Sequence, residues 1–84
     1  MSAATLIARA TSSTRPAKHS LTLRGHRTSV SLETAFWEEF CRIAATTGRS
    51  LNDLAADIDA GRGDVGLASA IRVHVLLALK DATG

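Results

Sequence analysis

The chain has 84 residues, one cysteine and 45% hydrophobic residues, a composition typical of a single small globular domain. One cysteine excludes an internal disulfide framework and a cysteine-based zinc cluster, and every apolar run is too short to span a membrane. The net charge of +2 hides an asymmetry, because residues 1–27 carry five bases and no acid whereas residues 28–84 carry five bases and eight acids. A basic segment ahead of a mildly acidic body indicates either a polyanion partner or a solvated tail.

Residues 1–18 are predicted to form a flexible basic arm. They have no clear apolar period, and Pro16 interrupts any helix there. Their Ala, Ser, Thr and Arg content without acids also suits a transit peptide, whereas the longest apolar run, Leu6–Ala8, is too short for a secretory signal. Of these interpretations we favour the flexible arm.

Residues 19–32 are predicted to form one short β segment. Apolar and polar residues alternate there with period two, and several are β-branched. The apolar positions are odd-numbered before Gly25 and even-numbered after it. A bulge or a turn at this glycine is therefore needed to keep the apolar residues on one face.

Two pairings of this segment stay open. A turn through residues 24–27 gives an in-chain hairpin with Leu21 opposite Val30 and Leu23 opposite Thr28. Without that turn, the strand is alone and has unpaired backbone groups on both edges. Antiparallel pairing with the same strand of a second chain then satisfies those groups.

Helical periodicity predicts three helices, over residues 33–47, 50–60 and 67–81. Gly48 suits the end of the first helix, and the Ser-x-x-acid signature from Ser50 to Asp53 predicts an N-cap for the second. The third helix has apolar residues on nearly all sides, so it must be covered on most sides. One short chain cannot supply that cover, which predicts association, most simply a symmetric homodimer.

Single residues outside these patterns have structural explanations. The aromatic residues and Cys41 lie at helical spacing, which predicts core packing and not a base-stacking platform or a nucleophile. Arg72, on an otherwise apolar helix, is expected to pair with Asp57 or Asp59. His74 is predicted to lie at an interface. No spacing of ligands or catalytic groups supports an enzyme, catalytic residues, a cofactor or a metal site.

The segment Thr28–Leu32 before a helix, with Gly48–Asn52 at the start of the next helix, resembles the ribbon-helix-helix family of DNA-binding proteins. More narrowly, three segments resemble a small bacterial subfamily of it: His19–Glu33, Ala35–Glu38 and Leu67–Arg72. The resemblance spans residues 19–80. It implies a mostly α fold with one short β segment, in which residues 19–84 form a homodimer through an intermolecular antiparallel β-ribbon and carry an added third C-terminal helix.

The resemblance also implies a binding surface, because the ribbon of such proteins enters the major groove of double-stranded DNA. If Val30 and Leu32 face the core, the base contacts are made by Arg27, Ser29 and Ser31. Phosphate contacts are implied beside the ribbon and at the start of the second helix, by Arg24, His26, Arg49, Ser50, Leu51 and Asn52.

The function implied is that of a transcriptional regulator in the bacterial cytoplasm, associated with the nucleoid and needing neither cofactor nor membrane. The alternative is a protein-interaction or dimerisation module. In that case the arm or the third helix binds another protein, and the ribbon is only structural. Retention on heparin or bulk DNA at low salt distinguishes the two hypotheses.

Overall fold

The structure, a computed structural model, describes residues 15–83. Its elements in chain order are β1 (Pro16–Leu23), β2 (His26–Glu33), α1 (Thr34–Thr46), α2 (Leu51–Gly61) and α3 (Leu67–Thr83). Most of the predicted arm, residues 1–14, lies outside the described residues. The last three residues of that predicted arm, 16–18, belong to β1, so the sheet begins earlier than the alternation indicated.

The predicted single β segment is two strands joined by a tight turn. β1 and β2 pair antiparallel, and Leu23 lies opposite His26, which leaves Arg24 and Gly25 as a two-residue loop. Their φ angles are 51° and 88°, and positive φ at both positions is the mark of a type I′ turn. Within one protomer the in-chain hairpin is therefore the pairing that the chain adopts.

The register of this hairpin differs from the predicted one. Leu21 lies opposite Thr28 and not Val30, and Leu23 lies opposite His26 and not Thr28. The predicted register was wrong because it assumed a four-residue turn, whereas Arg24 adopts a left-handed conformation and allows a turn of two residues.

The three predicted helices are present, with ends within two residues of the predicted ones. Ser50 is the N-cap of α2, and its hydroxyl oxygen accepts a hydrogen bond from the Asp53 N–H at 3.0 Å. This confirms the capping signature. Gly48 has a φ of 70° after the end of α1, as a helix-terminating glycine requires. Within residues 15–83, no helix is both long enough and apolar enough to cross a membrane.

The core lies between the inner face of the hairpin and the three helices. Four side chains are almost completely inaccessible to solvent: Leu21, Leu32, Phe40 and Ile71. Phe36 and Trp37 pack against this core, so the aromatic residues are core residues as predicted. Cys41 is half-buried, and burial raises the pKa of its thiol, as expected for a packing residue.

Arg72 of α3 pairs with Glu33, the last residue of β2. Its Nε and Nη2 donate to the two carboxylate oxygens at 2.9 and 3.2 Å, and its guanidinium lies 5.9 Å from the Phe36 ring centroid. The expected pairing with Asp57 or Asp59 was wrong, because Arg72 lies on the side of α3 that faces α1 and the end of β2. The pair joins the sheet to α3.

Candidate nucleic-acid interface

The side of the hairpin that faces away from the core is polar and exposed. Residues opposite each other in an antiparallel pair share a face, and the pairs on this side are Lys18–Ser31, Ser20–Ser29 and Thr22–Arg27. All six residues are exposed. We call these six residues the outer sheet face. They include two cations and no acid, and their four hydroxyls can donate to and accept from phosphates or base edges.

The three predicted base-contact residues, Arg27, Ser29 and Ser31, all lie on the outer sheet face. Sequence reasoning did not assign Lys18, Ser20 and Thr22 to it. The alternation around Leu21 contained the signal, because it places the even-numbered residues of β1 on the side opposite the core. That signal becomes useful only once β1 and β2 are known to pair.

The outer edge of β1 is bonded to α2 at Thr22, near the hairpin turn. The Thr22 N–H donates to Asn52 Oδ1 at 3.0 Å, so it points away from β2. Main-chain hydrogen bonds alternate along an antiparallel pair, and Arg27, opposite Thr22, accordingly directs its main-chain groups away from β1. The main-chain groups of Ser29 and Ser31 also point away from β1, because these residues lie two and four positions after Arg27.

The other edge of β2 is open. Among residues 15–83 the sheet has two strands, so no third strand lies beside the main-chain N–H and C=O groups of Arg27, Ser29 and Ser31. Unpaired edges of this kind bind further strands readily. The residues with base-contact potential therefore lie on the strand that is free to add a partner.

The start of α2 lies against the β1 edge. The hydroxyl of Ser50 is engaged by Asp53, and the side-chain oxygen of Asn52 is engaged by Thr22. The first intrahelical bond runs from Leu54 N–H to Ser50 O. The main-chain N–H groups of Leu51 and Asn52 precede that bond, and such groups at a helix start favour an anion.

Two of the predicted phosphate contacts, Arg24 and Arg49, meet at a carboxylate that sequence reasoning did not include. Arg24 Nη2 lies 3.6 Å from Asp57 Oδ1, and Arg49 Nη2 pairs with Asp57 Oδ2. Arg49 Nη2 also lies 3.5 Å from Asp53 O. The Arg49 guanidinium therefore extends along α2, away from the N–H groups at the helix start.

The histidines of the hairpin lie off the outer sheet face. His26 is exposed at the hairpin tip and shares the side of Leu23. His19 faces inward, where its ring stacks on Trp37 with centroids 4.0 Å apart, and its Nε2 is buried without a hydrogen-bond partner. Within residues 15–83 no group of three or more His, Cys, Asp or Glu side chains is placed to hold a metal ion.

A family model for the ribbon-helix-helix domain matches residues 16–79, from the first residue of β1 to the second half of α3. The match includes both strands, α1 and α2 in full, and α3 up to residue 79. No curated protein and no solved structure matches the chain significantly.

Proposed function

The chain belongs to the ribbon-helix-helix domain family, and from this membership we propose that it is a homodimeric DNA-binding protein that regulates transcription. Proteins of this family are generally DNA-binding regulators and typically not enzymes. The observation that carries the proposal is the exposed outer sheet face, whose base-contact candidates lie on the strand with the open edge. Because the subfamily that the sequence resembles is bacterial, the location we propose is the nucleoid of a bacterial cytoplasm.

We propose that two copies pair through the open edge of β2. Antiparallel β2–β2 pairing with a two-fold axis at Ser29 gives a four-stranded sheet, in which the two β2 strands are central and the two β1 strands are outermost. Arg27 then lies opposite the partner's Ser31. The in-chain hairpin and the intermolecular ribbon are thus parts of one sheet.

The width of the major groove determines which strands read the bases. Strands lie about 4.8 Å apart in a sheet, and the groove, about 12 Å wide, admits two strands. The central β2 pair therefore enters it, and Arg27, Ser29 and Ser31 make the base contacts. Arg27 suits a bidentate contact to guanine, whereas the serines discriminate bases less sharply.

The outer strands are then placed beside the phosphate backbone. Lys18, Ser20 and Thr22 of β1 are the side chains that face the groove walls, and the start of α2 follows directly behind Thr22 through the bond to Asn52. A phosphate at the N–H groups of Leu51 and Asn52 fixes the register of the sheet on the duplex without reading sequence.

The test compares Arg27→Ala with a matched control, Arg42→Ala, which removes an equal charge from the exposed side of α1. Arg42 pairs with Glu39 and lies outside the interface. Duplexes selected from a random pool by the wild-type protein serve as ligand, and fluorescence anisotropy over a range of salt concentrations gives the affinity. We expect Arg27→Ala to weaken binding by about tenfold or more, and equal affinity of both variants contradicts the base contact.

A second function, a protein-interaction module without specific DNA binding, is favoured by a different observation. The outward side of α3 carries large apolar residues that are about half exposed, and exposed apolar patches commonly mark protein interfaces. Failure of the wild-type chain to bind either heparin or bulk duplex DNA at low salt would favour this candidate. The N-terminal arm is the other surface predicted to bind a protein, and its residues 1–14 lie outside the described residues.

A further inference from the structure

Arg27 differs from most arginines of this protein because no carboxylate of the described chain neutralises it. Of the seven arginines within residues 15–83, five form ion pairs with carboxylates: Arg24, Arg42, Arg49, Arg62 and Arg72. Within the same residues Arg27 forms no ion pair, and it is exposed. Arg15, the other exception, precedes β1. Arg27 is therefore the guanidinium that the outer sheet face can offer to a base.

The middle of the outer sheet face is uncharged. Ser20 lies opposite Ser29, so the proposed β2–β2 pairing about Ser29 places serine hydroxyls from both copies in one row across the sheet. A hydroxyl both donates and accepts hydrogen bonds, and it can therefore contact any of the four bases. The row at the two-fold axis accordingly supplies little discrimination between bases.

Strand length and charge together favour Ser29 as the position of the two-fold axis. An axis at Ser29 pairs residues 26–32 of the two β2 strands, which is nearly the whole strand. An axis one residue earlier pairs only residues 26–30. An axis one residue later places Arg27 opposite the partner's Glu33, whose carboxylate would neutralise it. Long pairing and an unneutralised Arg27 are therefore combined at Ser29.

We infer that the preferred DNA site has two guanines, one on each strand, about four base pairs apart around a centre that tolerates any base pair. The inference rests on the proposed function. Arg27 lies two residues from the axis on each β2 strand, so the two copies of it are four residues apart along the strands, which is about 14 Å. Base pairs of B-DNA follow each other at about 3.4 Å, and the two-fold axis relates the two contacts.

Other guanine spacings belong to other registers of the sheet. Moving the axis by one residue changes the separation of the two Arg27 side chains by two residues, to about 7 Å or about 20 Å. These separations correspond to about two or about six base pairs. The guanine spacing in the bound DNA is therefore a readout of the register.

An exchange of two side chains tests the register without changing the charge. With the axis at Ser29, Arg27 lies opposite the partner's Ser31. Arg27→Ser combined with Ser31→Arg therefore moves each guanidinium to the neighbouring strand and keeps its distance from the axis. The preferred guanine spacing should stay at about four base pairs. An axis at either neighbouring residue predicts instead a change by about four base pairs, because there Arg27 and Ser31 lie at different distances from the axis.

Selection of duplexes from a random pool, followed by sequencing, is the measurement for the wild type and the exchange variant. Arg42→Ala is the control and should select the same duplexes as the wild type. Fluorescence anisotropy then compares duplexes with altered guanine spacing and duplexes with an altered centre. We expect about tenfold weaker binding when the spacing is changed by two base pairs, and less than about threefold change when the centre is altered. Circular dichroism shows whether each variant is folded.

The outcomes separate this inference from the proposed function. Guanines about two or six base pairs apart would overturn the inference and leave DNA binding in place. The same holds for a centre that discriminates bases as sharply as the guanine positions do, and for a folded exchange variant whose preferred spacing shifts. A wild-type chain that binds no duplex at any salt concentration would contradict the proposed function, and the inference with it.

Discussion

Thr22 and Asn52 are joined by a hydrogen bond from the Thr22 N–H to the Asn52 side-chain oxygen, 3.0 Å long, across thirty positions of the sequence. The bond occupies the outer edge of β1 near the hairpin turn and holds the start of α2 beside the outer sheet face. It therefore fixes where the helix N–H groups lie relative to the proposed DNA.

Substitutions of Asn52 are expected to separate its structural role from its electrostatic one. Asn52→Ala leaves the Thr22 N–H without this acceptor, which should cost about 1 kcal/mol of folding stability. Asn52→Asp keeps an acceptor oxygen and adds a negative charge that suits a helix start. Its stability should therefore match the wild type, whereas its DNA affinity should fall because the charge repels phosphate.

Urea unfolding gives the stabilities, and anisotropy with duplex DNA gives the affinities. Asn52→Ala should therefore lower the stability, whereas Asn52→Asp should keep the wild-type stability and lower the DNA affinity. An Asn52→Asp variant that binds DNA as tightly as the wild type would contradict a phosphate at the start of α2.

Asp57 is expected to restrain DNA binding, because it holds the guanidinium groups of both Arg24 and Arg49. Asp57→Asn removes this carboxylate charge and leaves both arginines available to phosphates. We expect a severalfold tighter complex and a steeper dependence of affinity on salt, since each additional phosphate contact raises that slope. Stability should change by less than about 1 kcal/mol, because all three side chains are substantially exposed.

Asp59→Asn is the matched control, since it removes the same charge from the same helix but affects only Arg62. Salt titrations of both variants and the wild type give the slopes. Equal slopes for Asp57→Asn and Asp59→Asn would contradict a restraint of DNA binding by Asp57.

The parts of this fold that local patterns predict are the helices and the faces of the strands. Ser50 and Asp53 lie three residues apart, so their cap is visible in sequence, and the spacing of Phe36 and Phe40 places both toward the core. The exposed positions of Arg27, Ser29 and Ser31 follow from the inward positions of Val30 and Leu32. Each of these features is decided by neighbours within one turn or one strand.

The features that were missed depend on distant residues or on unusual backbone. The left-handed φ of Arg24 has no local signal, because such a conformation is uncommon outside glycine, and it shifted the whole register. Arg72 and Glu33 lie 39 positions apart, and Asp57 meets Arg24 only after the hairpin folds onto α2. Nothing in composition or spacing selects these partners over other acids.

The Arg72–Glu33 pair is expected to make stability depend on pH in the acid range. The Arg72 hydrogen bonds lower the pKa of the Glu33 carboxyl below its usual value of 4.5. A carboxyl with a lower pKa in the folded state stabilises the protein fully above its unfolded pKa. The stabilisation is lost as the pH falls below 4.5 and through the lowered folded pKa.

Urea midpoints between neutral and strongly acid pH should show this loss for the wild type. Glu33→Gln removes the titrating group, so its midpoints should fall less steeply over the same range. Glu38→Gln, at an exposed position of α1, should keep the wild-type slope. Parallel curves for the wild type and Glu33→Gln would contradict a stabilising role of the pair.

Substitution of Arg24 in the hairpin turn is expected to change folding stability and DNA affinity in opposite directions. Arg24 has a φ of 51° and precedes Gly25, and Asn-Gly is a preferred pair for a type I′ turn. Asn tolerates left-handed backbone better than Arg does, so Arg24→Asn should raise the stability by up to about 1 kcal/mol. The lost ion pair with Asp57 offsets little of this gain, because both side chains are more than half exposed.

The same substitution removes a positive charge beside the proposed DNA surface, so DNA affinity should fall while the urea midpoint rises. Arg24→Lys is the control, because it keeps the charge and gains no preference for the turn, and its affinity should lie near that of the wild type. A stabilised Arg24→Asn variant with full DNA affinity would show that Arg24 lies at the turn for a reason unrelated to DNA. A destabilised one would show that the left-handed backbone does not limit the stability of this hairpin.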